Sequence, residues 1–317
     1  MWKTRITELL GIDYPIIQGA MAYISESQLA ASIYHAGGAG VIASGGFTVD
    51  EVQNYIHEVR DMCGSRAVFG VNLMLQAPNK DDIAQLVCDE KVPFVTIGAG
   101  NASPYIAPLH QAGVRALAIV PTVKLAQRVQ ERGADAIIIE GMEAGGHDGK
   151  LTLMALMENV IPSVEVPVIA AGGIVDGRGI AAALIMGASG VQMGTRFLLS
   201  EECQVHPAYK EAIIHANDKD STVTGFSKND SVRGLRNAFT RRYLEAEYSG
   251  ASIDELRALS RGTTRRAVQE GDIHEGYVLA GMSLTHLNKI QPMQEIMEEL
   301  VSETEKTLNK AASVIKE

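Results

Sequence analysis

The residues best equipped for chemistry in this chain of 317 residues lie between Asp135 and His147, in the run DAIIIEGMEAGGH. Glu140, Glu143 and His147 are titratable, and Gly145-Gly146 directly precedes the imidazole. An imidazole titrates near neutrality and can hold a proton, pass it on or polarise a carbonyl, while carboxylates hold and relay protons. Glycine, having no Cβ, lets the backbone approach a ligand closely. Ala136 to Ile139 has the unbroken apolar character of a strand buried on both faces. Ligands bind at the carboxyl ends of such strands in parallel α/β sheets, so the three titratable residues read as a site. A histidine after two glycines also caps ordinary turns. Residue types alone leave both roles open.

Two further glycine-rich stretches carry a second kind of chemistry. Ala171-Gly172-Gly173-Ile174 follows an apolar run and is expected to open a helix, and Gly194-Thr195 follows the next run. Glycines there leave backbone N–H groups free to meet an anion, and a helix N-terminus adds a favourable dipole. In barrels the last two strand ends commonly seat a phosphate. The bland alternative for AGGI is a simple connecting turn.

These loops need a scaffold, and the apolar runs supply one. Strands are expected at 15–18, 39–43, 67–74, 93–98, 114–120, 135–139, 166–171 and 189–193, each bounded by turn residues. Helical spacing lies between them at 26–36, 49–62, 80–90, 103–112, 122–132, 151–161 and 177–187. Strict βα alternation predicts a (β/α)8 TIM barrel over 1–205, with a doubly wound open sheet as the alternative. From about 206 the alternation stops. Residues 206–285 read as a smaller helical cap, and 286–317 as a C-terminal segment whose amphipathic helix, 291–316, packs back on the barrel.

Composition narrows the function classes. The formal net charge is −10, which argues against a general nucleic-acid binder, because phosphate contacts need a basic face. The cysteines, Cys63, Cys88 and Cys203, are widely spaced and form no disulfide or CxxC pattern. No leader is recognisable at the N-terminus and no apolar run reaches membrane-spanning length, so the expectation is a soluble cytoplasmic protein that binds neither membrane nor nucleic acid. Arg233, Arg236, Arg241, Arg242, Arg257, Arg261, Arg265 and Arg266 concentrate positive charge in the cap. They read either as a solvated face or as a patch for an anionic partner.

The assembled loops are QGAMA at 18–22, Asn72 in GVNLML, EGMEAGGHDG at 140–149, AAGGI at 170–174 and GVQMGTRF at 190–197. Together they resemble the nitronate monooxygenase/2-nitropropane dioxygenase superfamily of FMN-containing barrels. Within it, VRGLRNAFTRRYLEAE and GDIHEGYVLAG are similar to the flavin-dependent enoyl-acyl-carrier-protein reductases of the FabK type, and the likeness runs from KTRITELLGIDYPIIQG to the cap. Ala20 departs from the family, which often has a second glycine there; alanine is tolerated if φ is negative.

The resemblance implies a non-covalent FMN across the barrel mouth. Its phosphate would meet the backbone N–H groups of Gly172, Gly173, Gly194 and Thr195, with the Thr195 hydroxyl as a further donor. Gly19, Ala20 and Met21 would contact the isoalloxazine, Asn72 its polar edge, and Glu140 the ribityl chain or ring edge. Gly145, Gly146, Ala171, Gln192 and Met193 complete the expected cofactor set, and His147 would face the reacting side. The implied reaction is reduction of trans-2-enoyl-acyl carrier protein with NADH or NADPH by way of FMN, in the elongation cycle of fatty acid synthesis. Acyl carrier protein would dock on the cap arginines. A homodimer is expected, and a monovalent cation known to influence some members has no assignable ligands here. Two rivals stand beside this reading: a nitronate monooxygenase using O2, and a flavin-binding barrel without turnover.

Overall fold

A computed structural model describes residues 2–314. Ile16–Gln18 (β1), Gly40–Ile42 (β2), Phe69–Met74 (β3), Phe94–Gly98 (β4), Arg115–Val120 (β5) and Ala136–Glu140 (β6) are followed by the short Gly146–His147 (β7), then Val168–Ala171 (β8) and Gly190–Met193 (β9). All except β7 form one parallel sheet in the order β1-β9-β8-β6-β5-β4-β3-β2. The sheet closes on itself through a parallel bridge between Ile17 and Ala39. Gln18 N donates to Ala39 O at 2.9 Å, and the buried Gln18 side chain accepts from Val41 N at 3.0 Å, tying the seam with a second bond. The alternating βα pattern therefore yields the expected (β/α)8 barrel.

Alternation along the strands divides the core in two. Ile17, Val41, Phe94, Leu117, Ile138 and Ile169 fill the barrel interior together with Ile6 and Leu10, which belong to the N-terminal helix Arg5–Leu10. Neighbours of opposite parity, such as Ile137 and Ile139, pack outward against the helices. At Gly70 a Cβ would strike the Phe94 ring, so glycine on β3 makes room for the large interior side chain. The N-terminal helix plugs one end, and the strand termini at the other end remain available for a site.

The cap differs from the all-helical reading. Ser221–Thr224 (β10) and Val232–Leu235 (β11) are strands, and they form an antiparallel sheet in the order β10-β11-β7. The third strand thus comes from the loop carrying His147, with Val232 opposite His147 and Arg233 opposite Gly146. Within the stretch 206–285 read as helical, the helix over AFTRRYLEAEY begins only at Ala238, where Asn237 and Thr240 form a capping box. Val232, Leu235 and Phe239 have helical spacing, but Gly234 is packed against the Tyr277 ring and the Val278 carbonyl, a close approach that suits an extended glycine. Phe239, Tyr243, Leu256 and Tyr277 make the cap's own small core.

The C-terminal helix Met293–Ala312 lies on the barrel helix Gly177–Ile185, crossing so closely that a Cβ at Gly177 would come within 2.7 Å of Leu300 O. Residues 315–317 of the expected segment fall outside the described residues. No helix among the described residues is long and apolar enough to cross a membrane.

Candidate active site

The strand ends open into a cavity of about 740 Å³, within the range of roughly 300–1,000 Å³ usual for cofactor and substrate sites. Every candidate residue named for cofactor or catalysis lines it: Gly19, Ala20, Met21, Asn72, Glu140, Gly145, Gly146, His147, Ala171, Gly172, Gly173, Gln192, Met193, Gly194 and Thr195. Glu143 does not. Its carboxylate accepts from Leu153 N at 2.9 and 3.1 Å, which makes it a helix-capping group. The sequence cannot separate it from Glu140 because only the fold decides which way each points.

The glycines give the cavity its shape. Gly172 and Gly173 have φ of 100° and 72°, a conformation that would strain any other residue. A Cβ at Gly172 would sit 2.9 Å from Gly141 O, and one at Gly173 would sit 2.9 Å from the Glu143 Cβ. The N–H groups of Gly172, Gly173 and Gly194 find no protein acceptor among the described residues. Segment 279–284 pins both glycine loops: Ser283 Oγ donates to Gly173 O at 2.7 Å, and Gly281 N donates to Thr195 Oγ1 at 3.0 Å. Because Thr195 Oγ1 accepts that bond, its own hydroxyl hydrogen stays available as a donor.

The expected helix opening at AGGI is corrected. The helix starts at Gly177, where Asp176 caps Gly179 N at 2.9 Å and Glu303 accepts from Gly177 N at 2.8 Å. Two carboxylates occupy that N-terminus, so the anion-binding capacity resides in the glycine loops and not in this helix dipole. Ala20 is absent from the residues with positive φ, and alanine is accommodated there without strain. Gly19 is needed because a Cβ would crowd the Gln192 side chain at 3.1 Å.

Asn72 Nδ2 donates to Thr96 O at 3.2 Å and to Thr96 Oγ1 at 3.1 Å. These bonds turn the amide, leaving its Oδ1 as the group free to accept from a ligand. Burial pushes the Glu140 carboxyl up to about 7, with the neighbouring Asp148 adding to the effect. Asp148 is itself raised to about 6 by burial, against the pull of Arg233. Burial lowers the His147 imidazole, Asp230 opposes that and Arg257 reinforces it. His147 is nevertheless solvent-exposed by surface. Both hold because the ring's accessible face is the concave cavity wall, where water reaches it but cannot fully hydrate a charge. The imidazole is therefore neutral at pH 7 and presents one N–H donor.

Sequence reasoning missed the cap's contribution. Thr264, Leu279, Gly281 and Ser283 also line the cavity, as does Asp148. The small residues of YVLAGMS, at 277–283, are the one signal that could have pointed there. The expected arginine surface is also corrected. Arg233 is buried, at 4% exposure, because β11 lies between β7 and β10 and its side chain points inward. Arg242, Arg257 and Arg266 pair with Glu275, Asp230 and Asp272. Arg236, Arg241 and Arg261 are exposed and have no carboxylate partner among the described residues.

Comparison with known proteins bears on the family and the fold. Residues 3–89 and 83–303 match the nitronate monooxygenase family model. FabK from Thermotoga maritima is 42% identical, with a TM-score of 0.95, over 99% of this chain and 100% of that one. A 5-hydroxy-7a-methyl-1-oxo-octahydro-1H-indene-4-carboxyl-CoA dehydrogenase from Rhodococcus jostii is 36% identical over 222 residues, 70% of this chain. The match spans 62% of that protein's length. A probable nitronate monooxygenase from Staphylococcus aureus is 28% identical over 96% of this chain and 98% of its own. With a family match over most of its length, the chain belongs to the nitronate monooxygenase family of oxidoreductases.

Proposed function

We propose that the protein is an FMN-dependent reductase of trans-2-enoyl groups carried on acyl carrier protein, with NADH or NADPH as the reductant. The observation that carries this reading is the likeness to FabK, which runs through the cap as well as the barrel at 42% identity. Cap residues Thr264, Leu279, Gly281 and Ser283 help line the cavity, so likeness there bears on substrate as well as on fold. When bound, FMN supplies the hydride-transfer chemistry that amino acid side chains lack.

The rest falls to the chain. The free N–H groups of Gly172, Gly173 and Gly194 and the Thr195 hydroxyl suit a phosphate, and segment 279–284 holds those loops in place. Met21 offers an apolar contact for a ring, and Asn72 Oδ1 an acceptor for a ring N–H. His147, neutral and on the cavity wall, donates a hydrogen bond to the thioester oxygen as negative charge develops there. Exposed Arg236, Arg241 and Arg261 provide a cationic approach for an acidic carrier protein. We read the protein as a cytoplasmic homodimer, since its cysteines are free and two-fold dimers are the commonest assembly.

Oxidation of nitronates by O2 is the second reading, favoured by the family model and by the Staphylococcus aureus relative. One experiment separates the two. The purified yellow protein is mixed anaerobically with NADH and then with a crotonyl thioester. Bleaching by NADH and recovery of colour on adding the thioester is the expected result. A flavin that stays oxidised with NADH but bleaches with a nitronate would replace the reductase reading with the monooxygenase one.

A further inference from the structure

Asp148 follows His147 directly, and its side chain is only 1% exposed. Neither carboxylate oxygen is in a well-formed hydrogen bond among the described residues, the Ser231 side chain being the one neighbouring donor, close enough to pull the carboxyl down. The nearest cation is Arg233, with Nε 3.6 Å from Asp148 Oδ2. That guanidinium is shared three ways, since Nε donates to Met142 O at 2.8 Å and Nη1 to Ser221 Oγ at 3.0 Å. Glu140, at the end of β6, lines the same cavity and has neither an ion-pair nor a hydrogen-bond partner for its carboxyl among the described residues. The other charged or titratable groups facing this cluster are His147 on β7, Glu143 in the loop after β6, and Tyr277 from the segment beneath β11. The Glu143 carboxylate is engaged by Leu153 N, and the Tyr277 hydroxyl by Val232 O and Thr224.

The count of charges decides what such a cluster can hold. One guanidinium faces two carboxyls, and if both were ionised a net negative charge would lie in a poorly hydrated place with only the Ser231 side chain and the shared Arg233 to offset it. Retaining one proton neutralises the set. We propose that Glu140 and Asp148 act as a carboxyl pair holding one proton beside His147, and that Arg233, reaching in from the cap, is the positioning residue that fixes how tightly the pair keeps it. Burial and mutual repulsion both raise the two carboxyls, in the direction the arrangement requires. The pair's role in turnover rests on the reductase reading. The shared proton itself is a property of the chain and can be measured without substrate.

The test is an infrared pH titration of the protein as purified, following the carbonyl stretch of a protonated carboxyl, with Glu140→Gln to identify the band. Asp148→Asn, which keeps the shape of the side chain, is expected to lower the band's midpoint by about one pH unit, because Glu140 loses its like-charged neighbour. Arg233→Met is expected to raise it, since the pair loses its cation, and Arg233→Lys to leave it near the parent value. The double variant Arg233→Met/Asp148→Asn should return the midpoint below that of Arg233→Met. If Arg233 only packs the cap, Arg233→Met would leave the midpoint where it is in the parent. Absence of the band in the parent at pH 6, or an unchanged midpoint in Asp148→Asn, overturns the proposal. A parent that shows the band yet is not bleached by NADH would instead overturn the reductase reading.

Discussion

Glu140→Gln should stabilise the flavin-free protein at alkaline pH and do almost nothing in mild acid. The folded-state carboxyl sits at about 7 against an ordinary value of 4.5. The native protein therefore binds the proton more tightly than the unfolded chain does. Below 4.5 both states are protonated and nothing is lost; between 4.5 and 7 native stability falls as pH rises, and above 7 the penalty is complete. Two and a half decades of proton affinity at about 1.4 kcal/mol each set an upper limit of ~3–4 kcal/mol, which water in the cavity reduces to about 2 kcal/mol. Glutamine removes the charge without changing the shape, and no hydrogen bond to the Glu140 side chain among the described residues is lost with it. Urea unfolding at pH 5 and pH 8 reads the difference directly. The variant should be more stable than the parent by about 2 kcal/mol at pH 8 and within ~0.5 kcal/mol of it at pH 5. Equal stability at both pH values, or a less stable variant at pH 8, would mean that Glu140 is ionised and well paired, and the reasoning from burial would fail.

Other regions yield predictions of different kinds. His147→Ala should retain flavin and bleaching by NADH while enoyl reduction slows by about 10²–10³-fold, the usual effect of losing one donor to a developing oxyanion; stopped-flow measurement of the second half-reaction checks this, and undiminished turnover would remove His147 from the mechanism. Burial raises the Glu90 carboxyl, but hydrogen bonds from Gln53, Arg60 and His57 outweigh it and hold it at about 2. Its contribution is thus fully present above 4.5 and is lost as pH falls toward 2, so Glu90→Gln should cost about 2–3 kcal/mol at pH 7, with the deficit closing in an acid titration. Gly177→Ala would drive a Cβ into the backbone of the C-terminal helix at Leu300 and Thr304; a loss of about 1–3 kcal/mol is expected from the forced separation, and a thermal midpoint equal to that of the parent would contradict the close crossing.

The barrel was legible because most strands are short, largely apolar runs between turn residues, alternating with segments of helical spacing, a pattern that suits a sheet covered on both faces. Ala136 to Ile139 is the clearest case: alternate residues go to the interior and to the helix layer, so no polar residue interrupts the run. The glycine loops were legible for a similar reason, since Gly172 and Gly173 adopt backbone angles that other residues avoid. The cap was harder to read. Val232, Leu235, Phe239 and Tyr243 recur every three or four residues, yet the first two lie on a strand and the last two on a helix. The periodicity crosses an element boundary and carries no information about it. A two-residue strand such as β7 leaves no pattern at all. Arg233 was misplaced for the same reason, because in a helix it would have faced solvent and on β11 it faces Asp148.

That misreading bears directly on the chemistry. With β7 recognised as the edge of the cap sheet, His147 is no longer a residue on a free barrel loop. Its backbone is paired with Val232, Gly146 reaches that pairing with φ of 84°, and Arg233 ties the same strand to the loop after β6 through Met142. The cap also returns to the glycine loops through Gly281 and Ser283. The barrel alone therefore presents the strand ends and the glycines, but the imidazole is oriented only once the cap has folded against them. Ordering the imidazole by a sheet edge restricts it more than a loop would, because two neighbouring backbones must move together for the ring to move. In this architecture the cap does two things at once: it lines one side of the cavity, and it holds His147 and the carboxyls beside it in register with the barrel rim.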